Sequence, residues 1–296
     1  MEQKTAFIAI VGCPNVGKSS IMNKILGEKI AIVSPKPQTT RTRILGVYTD
    51  GDTQLVFTDT PGYHKPQTRL GEKMVRSVSA GIRDVDACLL VTEPQGDVRD
   101  AELTLLKKIK KEGIPAILAI NKIDLLENKD LLLSRIMTFS KLCDFAAIVP
   151  VSARTGNGLD ALIEELKALA MPGQHLFDAD TVTDQPERAL AAEYIREKLL
   201  KYLDKEIPHG TAVAIERFRE RDNDDLLDIE ATIYCEKESH KGIIIGNNGE
   251  MLKRISSDAR RDLERFFDIR INLQCWVKVK EDWRNREGLI HNFGLD

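Results

Sequence analysis

The chain has few of the features that mark secreted, membrane-spanning or fibrous proteins. Its 296 residues include five cysteines that lie far apart and form no CxxC pair, which argues against a disulfide framework or a metal site. No apolar run approaches the roughly 20 residues of a membrane helix, and the N-terminal apolar run ends too soon for a signal peptide. We therefore expect a globular protein of the cytoplasm.

The chain also lacks a strong net charge, but its charges are unevenly distributed. The formal net charge is −3, from 43 Lys and Arg against 46 Asp and Glu. Residues 237–286 nevertheless hold twelve Lys and Arg against eight Asp and Glu, and residues 204–230 hold four against nine. A phosphate backbone attracts a basic stretch of this kind, so the balanced total does not exclude a nucleic-acid partner.

The apolar pattern predicts two domains. Short buried strands alternate with amphipathic helices over the first domain, which indicates an α/β fold with a mostly parallel sheet and helices on both faces. The pattern breaks at Met171-Pro172-Gly173, and the later segments follow the order α-β-β-α-α-β of an α+β domain. We place the first domain at 1–172, a linker that absorbs movement at 173–184, and the second domain at 185–296.

A glycine-rich loop follows the first predicted strand and opens a helix. It reads Gly12-Cys13-Pro14-Asn15-Val16-Gly17-Lys18-Ser19 and fits the GxxxxGK[ST] pattern. Such a loop curls its N–H groups around phosphates, and the helix N-terminus adds partial positive charge. Lys18 would neutralise β- and γ-phosphate oxygens, Ser19 would bind Mg²⁺, and Ser20 completes the predicted contact set. The alternative is a glycine-rich turn that caps an ordinary helix.

Three further motifs stand at or just after the ends of predicted strands. They are Asp59-Thr60-Pro61-Gly62, Asn121-Lys122-Ile123-Asp124 and Ser152-Ala153-Arg154. The Asp59 carboxylate suits Mg²⁺ held through water, and the Gly62 N–H suits a γ-phosphate. Asp124 can accept two hydrogen bonds from guanine that adenine cannot donate.

In the same set, Asn121 would tie neighbouring loops together, the Lys122 stem would pack over the base, and the loop at Ser152 would offer N–H groups to guanine O6. Each motif alone also occurs in simple turns. Because all of them fall beyond the carboxyl ends of strands, they favour one common ligand site.

With these motifs in this order, the chain resembles P-loop GTPases. The resemblance implies that a mobile loop threonine within Pro37–Arg41 binds Mg²⁺ and senses the γ-phosphate; we choose Thr40 over Thr39. It also implies that Lys18, Thr40 and Gly62 serve catalysis.

Tyr63 stands where many GTPases have a glutamine that orients the attacking water. The resemblance is therefore to the branch with a hydrophobic residue at this position, and it implies slow hydrolysis that depends on a partner or an ion. Asn15 either helps to bind K⁺, as in some GTPases of that branch, or only braces the loop. His64 and Lys65 are expected in a second mobile loop, with His64 solvated rather than acting as a base.

The second domain contains a GxxG turn, Gly246 to Gly249, between two helical stretches. Such a turn allows close approach to a nucleic-acid phosphate, although a plain helix–helix turn is the alternative. With the α-β-β-α-α-β order, it resembles a type II KH domain. The predicted RNA-binding residues are Lys241, Gly242, Gly246, Asn247, Asn248, Gly249, Lys253 and Arg254.

Several apolar residues of this domain have two interpretations. Ile244, Ile245 and Leu252 either line the RNA groove or belong to the core, and for each one the core is favoured. Either Trp276 or Trp283 could stack on a base, but core packing is favoured for Trp276.

A GTPase domain followed by a KH domain and the tail Lys278–Asn285 (KVKEDWRN) resembles the Era family of bacterial GTPases. The resemblance implies a GTP/GDP switch that requires Mg²⁺, binds the 3′ end of 16S rRNA and acts in assembly of the 30S ribosomal subunit. It also implies peripheral association with the inner face of the cell membrane, no DNA partner and a monomer. One rival is a nucleotide-sensing RNA-binding module in which hydrolysis is incidental. The other is a GTPase of tRNA modification, whose extra helical domains and C-terminal reactive Cys are absent here.

Overall fold

The structure is a computed structural model that describes residues 2–64, 66–221 and 224–295. Its contacts divide the chain into two compact units. The first unit comprises Met1–Ala31, Thr40–Pro66 and Gly71–Asp184, and the second comprises Ile32–Thr39, Gln67–Leu70 and Gln185–Asp296. Two short segments of the N-terminal half of the chain are thus grouped with its C-terminal part.

The first unit is built on a mostly parallel sheet. Its strands are β1 (Lys4–Gly12), β2 (Ile44–Asp50), β3 (Thr53–Asp59), β4 (Ala87–Thr92), β5 (Ala116–Ile120), β6 (Ala147–Pro150) and β7 (Met171–Pro172). The order is β2-β3-β1-β4-β5-β6, with β2 antiparallel to β3 and β7 antiparallel to β1. Because β1, β3, β4, β5 and β6 run parallel, their carboxyl ends meet at one edge of the sheet.

Helices cover both faces of this sheet. They are α1 (Lys18–Leu26), α2 (Arg69–Gly81), α3 (Asp100–Glu112), α4 (Lys129–Leu142) and α5 (Leu159–Lys167). Side chains of α2, α3 and α4 form one apolar cluster with Ala9 and Val11 of β1. Ile8 and Ile10 alternate to the opposite face and are fully buried as well. The predicted α/β class is confirmed.

The segment 173–184, predicted as a linker, is hydrogen-bonded to the first unit. The Val47 N–H of β2 donates to the Val182 carbonyl at 2.8 Å, and the Thr183 hydroxyl donates to the Leu45 carbonyl at 2.6 Å. The buried Gln54 amide accepts from the N–H of Leu176 at 2.8 Å. This segment is therefore part of the first unit, which ends at Asp184.

The second unit has the order α-β-β-α-α-β that the sequence predicts, and the KH class is confirmed. Its elements are α6 (Glu187–Tyr202), β8 (Ala212–Arg221), β9 (Asp224–Cys235), α7 (Glu238–Ile245), α8 (Glu250–Phe267), β10 (Arg270–Val279) and α9 (Glu287–Asn292). The sheet order is β10-β9-β8, with β10 parallel to β9 and β8 antiparallel to β9.

The core of the second unit lies between this sheet and α6, α7 and α8. Ile195 of α6 and Ile255 of α8 are fully buried against Ile233 of β9. Short 3₁₀ helices complete the described secondary structure, at Ile123–Leu125, Pro208–Gly210, Asn247–Gly249 and Trp283–Asn285. Among the described residues, no helix is long and apolar enough to cross a membrane.

Candidate nucleotide and nucleic-acid sites

The glycine-rich loop leads from β1 into α1, and its two glycines are needed for its shape. Gly17 precedes α1 with a φ of 98°, a left-handed conformation that favours glycine. A side chain at Gly12 would overlap the Val91 carbonyl at the end of β4. The left-handed turn at Gly17 and the close approach at Gly12 thus fix the shape of the loop, and its N–H groups gather at the N-terminus of α1.

Lys18 is buried inside this loop. Its ammonium donates to the Cys13 carbonyl at 3.0 Å and to the Gly12 carbonyl at 3.4 Å. Burial lowers the pKa of Lys18, and the negative charge of Asp59 opposes that change. A cation at this position suits phosphate oxygens.

Ser19, Thr40 and Asp59 bring oxygen atoms together beside Lys18. The Ser19 hydroxyl donates to the Asp59 carboxylate at 2.5 Å, and the Thr40 hydroxyl lies 3.0 Å from Ser19 and 3.3 Å from Asp59. The second Asp59 oxygen, Oδ1, is buried with no hydrogen-bond partner among the described residues. Burial raises the pKa of Asp59, although the Lys18 charge and the two hydroxyls oppose that rise.

This oxygen cluster fits Mg²⁺, which takes hydroxyl, carboxylate and water oxygens. Ser19 and Thr40 would bind the ion directly, and Asp59 would hold it through water. Thr39 contributes differently, because its hydroxyl donates to the Lys36 carbonyl at 2.7 Å. Thr40 is therefore the member of this pair that lies with Ser19 and Asp59.

The Asp59–Gly62 loop is packed against the glycine-rich loop. The Thr60 hydroxyl donates to the Ile10 carbonyl at 2.8 Å, and the Tyr63 N–H donates to the Gly12 carbonyl at 3.1 Å. A Cβ atom on Gly62 would lie 2.7 Å from Pro14 Cα, so only glycine permits this approach. Gly62 is thereby held directly against the glycine-rich loop.

The Tyr63 ring packs against the apolar cluster formed by α2, α3 and α4. The Lys108 ammonium lies 4.6 Å from the centre of the ring. A ring held in this way does not supply the hydrogen bonds with which a glutamine amide orients water. His64 Nδ1 lies 2.7 Å from the Gly62 carbonyl, and Lys65 lies outside the described residues.

Asn121 connects three loops at the base-recognition end of the site. Its amide donates to the Val16 carbonyl at 2.8 Å and accepts from the Ala153 N–H at 3.0 Å. The Lys122 ammonium donates to the Asn15 carbonyl at 2.7 Å, so its stem crosses the glycine-rich loop. Sequence reasoning missed Glu93, which follows β4 and receives the Lys122 ammonium at 2.5 Å. Its position at the same sheet edge was the available signal.

Glu93 also pairs with Arg99 at 2.7 Å. Partial burial raises the pKa of Glu93, but hydrogen bonds from Lys122 and Arg99 to the carboxylate outweigh this effect and hold the pKa below its ordinary value. Glu93 therefore remains charged and fixes the Lys122 side chain over the loop.

Asp124 lies where a carboxylate could meet the edge of a guanine base. The Ser152 hydroxyl donates to it at 2.6 Å, and the exposed Arg154 guanidinium lies 2.9 Å away. The Ser152 hydrogen bond holds the pKa of Asp124 below its ordinary value. The carboxylate is thus charged and oriented as an acceptor at neutral pH.

In the second unit, the turn Gly246–Gly249 joins α7 to α8 and is exposed at both asparagines. Gly246, Asn248 and Gly249 have φ angles of 73°, 50° and 80°. A Cβ atom on Gly246 would lie 2.7 Å from Met251 Cβ, whereas Gly242 and Gly249 face open space. The turn is therefore tightly packed at Gly246 and open to solvent beside Gly249.

The basic residues around the turn are placed unequally. Lys253 and Arg254 are exposed on the first turns of α8, and Arg254 also lies over the Tyr202 ring at 4.3 Å. Lys241 on α7 lies 3.8 Å from Glu238. Of the apolar candidates, Ile244 is a fully buried core residue, while Ile245 and Leu252 are partly buried against the same core.

The prediction for the tryptophans was wrong. Trp276, for which core packing was favoured, is 43 % exposed on β10. Trp283, a candidate for base stacking, is fully buried, and its indole N–H donates to the Gly210 carbonyl at 2.8 Å. In β10, Cys275 and Val277 face the helices, so Trp276 must point to the other face of the sheet.

Two family models match the chain. A model described as a 50S ribosome-binding GTPase matches residues 7–122, and a KH domain model matches residues 206–284. Each match falls on one of the two regions whose geometry is described above.

Full-length relatives and solved structures match as well. Two proteins named GTPase Era, from Ruminiclostridium cellulolyticum and Clostridioides difficile, are each 48% identical to the chain. Both alignments cover 99% of this chain; they cover 98% of the first relative and 99% of the second. A crystal structure of Aquifex aeolicus Era Y63A bound to GDP.AlF4- is 37% identical with a TM-score of 0.95. A structure of Era in complex with MgGDPNP and nucleotides 1506–1542 of 16S ribosomal RNA has the same identity, 37%, and the same TM-score, 0.95. Both alignments cover 99% of each chain.

Proposed function

This chain belongs to the Era family of GTPases, and from that premise we propose that it is a GTP-operated switch that binds the 3′ end of 16S rRNA during assembly of the 30S subunit. One observation carries the switch: Thr40 lies within 3.3 Å of both Ser19 and Asp59. A loop threonine in such an oxygen cluster makes the loop responsive to the γ-phosphate and its Mg²⁺.

The chain's own residues divide the work of GTP hydrolysis. Lys18 and the N–H groups of the glycine-rich loop hold the phosphates, and Gly62 donates its N–H to the γ-phosphate. Asp124 selects guanine. Ser19, Thr40 and Asp59 would hold Mg²⁺, which would neutralise negative charge on the phosphates. Because Tyr63 is packed against the apolar cluster, the attacking water has no glutamine to orient it, and we infer a slow intrinsic rate.

The RNA part of the proposal rests on the GxxG turn. Its asparagines are exposed, the space beside Gly249 is open, and Lys253 and Arg254 stand on the adjoining helix. The structural relative that is bound to 16S rRNA nucleotides supports the same ligand for this chain.

A binding assay tests the RNA interaction. A labelled RNA with the 3′-terminal sequence of 16S rRNA is titrated with the protein in GDPNP and in GDP. Asn248→Asp should weaken binding about fivefold, because one added charge beside a phosphate costs about 1 kcal/mol. Asp tolerates the left-handed φ of Asn248, whereas Gly246→Asp would also collide with Met251.

Gln274→Glu is the matched control, since it adds one charge on β10 with little change in shape. It should stay within twofold of the unchanged protein. Equal losses for both variants would contradict the assignment of the GxxG turn. If the protein is instead an RNA-binding module in which hydrolysis is incidental, its RNA affinity should be the same in GDPNP and in GDP. RNA should then also leave the single-turnover rate of GTP hydrolysis unchanged.

We also propose K⁺ as an activating ion. Asn15 has a φ of 64°, and its carbonyl is fixed by Lys122, so the residue is held in one conformation within the glycine-rich loop. A bound K⁺ there could supply the positive charge that an arginine finger supplies elsewhere. Hydrolysis in KCl should exceed hydrolysis in NaCl at equal ionic strength, and equal rates would leave Asn15 as a brace only.

Peripheral contact with the inner face of the cell membrane is part of the same proposal, carried by the family resemblance alone. Co-sedimentation with vesicles of anionic lipid tests it. Binding that disappears when neutral lipid replaces anionic lipid is expected, and no binding to either would reject it.

A further inference from the structure

The segment Ile32–Thr39 leads into the nucleotide-sensing Thr40, yet it belongs to the second unit. Within that unit it is held by α6 and the residues just beyond it. The Val33 N–H donates to the Glu197 carboxylate at 3.2 Å. The Lys36 ammonium lies 3.1 Å from the Asp204 carboxylate.

The last contact of the segment is made by Arg196. Its guanidinium donates to the Thr39 carbonyl and also pairs with Glu193, at 2.7 Å from Nε and 2.6 Å from Nη2. The Arg196 side chain is only 2 % exposed. Burying a guanidinium is unfavourable unless its hydrogen bonds are well made, and its planar fork fixes their directions. Arg196 therefore holds the Thr39 carbonyl in one orientation.

The Thr39 carbonyl and the Thr40 N–H belong to the same peptide group. Because that group is planar, fixing the direction of the carbonyl also fixes the plane from which Thr40 starts. Successive Cα atoms are about 3.8 Å apart, so a shift at Thr39 is carried directly to Thr40. The Thr40 hydroxyl, in turn, must stay within reach of Ser19 and Asp59.

We propose that Arg196 is a positioning residue for GTP hydrolysis, which acts by orienting the Thr39–Thr40 peptide so that Thr40 reaches the Mg²⁺ site. This rests on the proposed role of Thr40. It places a determinant of GTP binding on α6, 157 residues along the chain from the Thr39 carbonyl that Arg196 holds.

Arg196→Met tests this, with nucleotide affinity as the first measurement. Thr40 contacts the ligand only when a γ-phosphate is present, so affinity for GDPNP should fall about tenfold while affinity for GDP stays within twofold. Single-turnover hydrolysis should slow at least tenfold and need more Mg²⁺. If Arg196 had a purely structural role, Arg196→Met would lower the affinities for GDPNP and GDP equally, or would lower only the melting temperature.

Two further variants keep the test decisive. Arg196→Lys keeps the buried charge but loses the fork, and it should give an intermediate loss even if the methionine variant fails to fold. Glu193→Gln alters the other partner of the guanidinium without removing the donor to Thr39, so it should leave the ratio of GDPNP to GDP affinity nearly unchanged.

Thr40→Ala separates this inference from the proposed function. If Thr40→Ala leaves GDPNP affinity and hydrolysis unchanged, the proposed role of Thr40 is wrong. If Thr40→Ala lowers the affinity for GDPNP while folded Arg196 variants match the unchanged protein within threefold, the positioning role of Arg196 is overturned. In a Thr40→Ala background, Arg196→Met should cause no further loss.

Discussion

Replacing Gly62 with alanine should slow GTP hydrolysis about a hundredfold and leave GDP affinity almost unchanged. A Cβ atom at this position would lie 2.7 Å from Pro14 Cα, 2.8 Å from Pro14 N and 2.9 Å from Pro14 Cγ. Carbon atoms in ordinary contact are about 3.5 to 4.0 Å apart, so the two loops must separate by about 1 Å. Two of the three clashing atoms are backbone atoms, so no side-chain rotation relieves the overlap.

The magnitude follows from the sensitivity of catalysis to position. A displacement of about 1 Å in a reacting group can cost about 100-fold in rate, and the Gly62 N–H is the group displaced. GDP has no γ-phosphate, and its contacts with Lys18 and Asp124 do not involve Gly62. The variant should therefore separate hydrolysis from nucleotide binding.

Single-turnover hydrolysis of radiolabelled GTP measures the rate, and displacement of a fluorescent nucleotide measures GDP affinity. Gly173→Ala is the control, because the nearest atom to its Cβ would lie 3.8 Å away in ordinary contact. A Gly62→Ala rate within threefold of the unchanged protein would refute the reasoning, as would an equal loss in the Gly173 control.

Three further outcomes are expected. Asp124→Asn should weaken GDP binding by about 100-fold or more, since two charge-assisted hydrogen bonds to guanine are lost, and should favour xanthine nucleotides; competition between GDP and XDP measures both. Arg135→Met should lower the free energy of unfolding by about 3–5 kcal/mol in urea titration, because it leaves the buried Glu102 without its 3.1 Å partner; replacing both residues with Met should cost less. Burial raises the pKa of the partly exposed Cys275 to about 12, so its native-state alkylation should be slow at pH 8 and rise about tenfold per pH unit towards pH 10, and labelling at the rate of free cysteine would contradict this.

The nucleotide site could be predicted from the sequence because topology brings its motifs together. The motifs fall at or just after the carboxyl ends of β1, β3, β5 and β6, and parallel strands place those ends at one edge of the sheet. Glu93 follows the same rule after β4 but belongs to no recognisable motif. Its role in fixing Lys122 emerges only from the contact between their side chains.

The sequence signals for two helices of the first unit are weak, for different reasons. The segment that forms α2 contains Gly71 and Gly81, and glycine disfavours helices. The segment that forms α4 has an apolar run, Leu131 to Leu133, that hides the helical spacing, and two of these leucines are exposed. The orientation of Trp276, by contrast, could have been predicted from the sequence. Side chains alternate between the two faces along β10, and this alternation points Trp276 away from the helices.

Contacts between distant residues also explain why the charge of the second unit misleads when it is summed. The acidic stretch 204–230 is partly neutralised by its own arginines: Arg221 lies 2.8 Å from Asp228, and Arg217 lies 3.4 Å from Glu230. Hydrogen bonds from Arg221 and Asn272 hold the pKa of Asp228 well below its usual range. These charges pair with one another across β8 and β9, so they repel a distant phosphate less than their number suggests.

The basic residues beside the GxxG turn sit in a different environment. Lys253 is exposed at the start of α8, and Arg254 contacts the face of the Tyr202 ring, which leaves its positive charge intact. An RNA backbone at the turn would therefore meet the positive charges of Lys253 and Arg254, while part of the acidic stretch is neutralised by its own arginines. The salt dependence of RNA binding should reflect this local charge: Lys253→Gln should reduce the slope of log Kd against log salt by about 1, and an unchanged slope would place the RNA elsewhere.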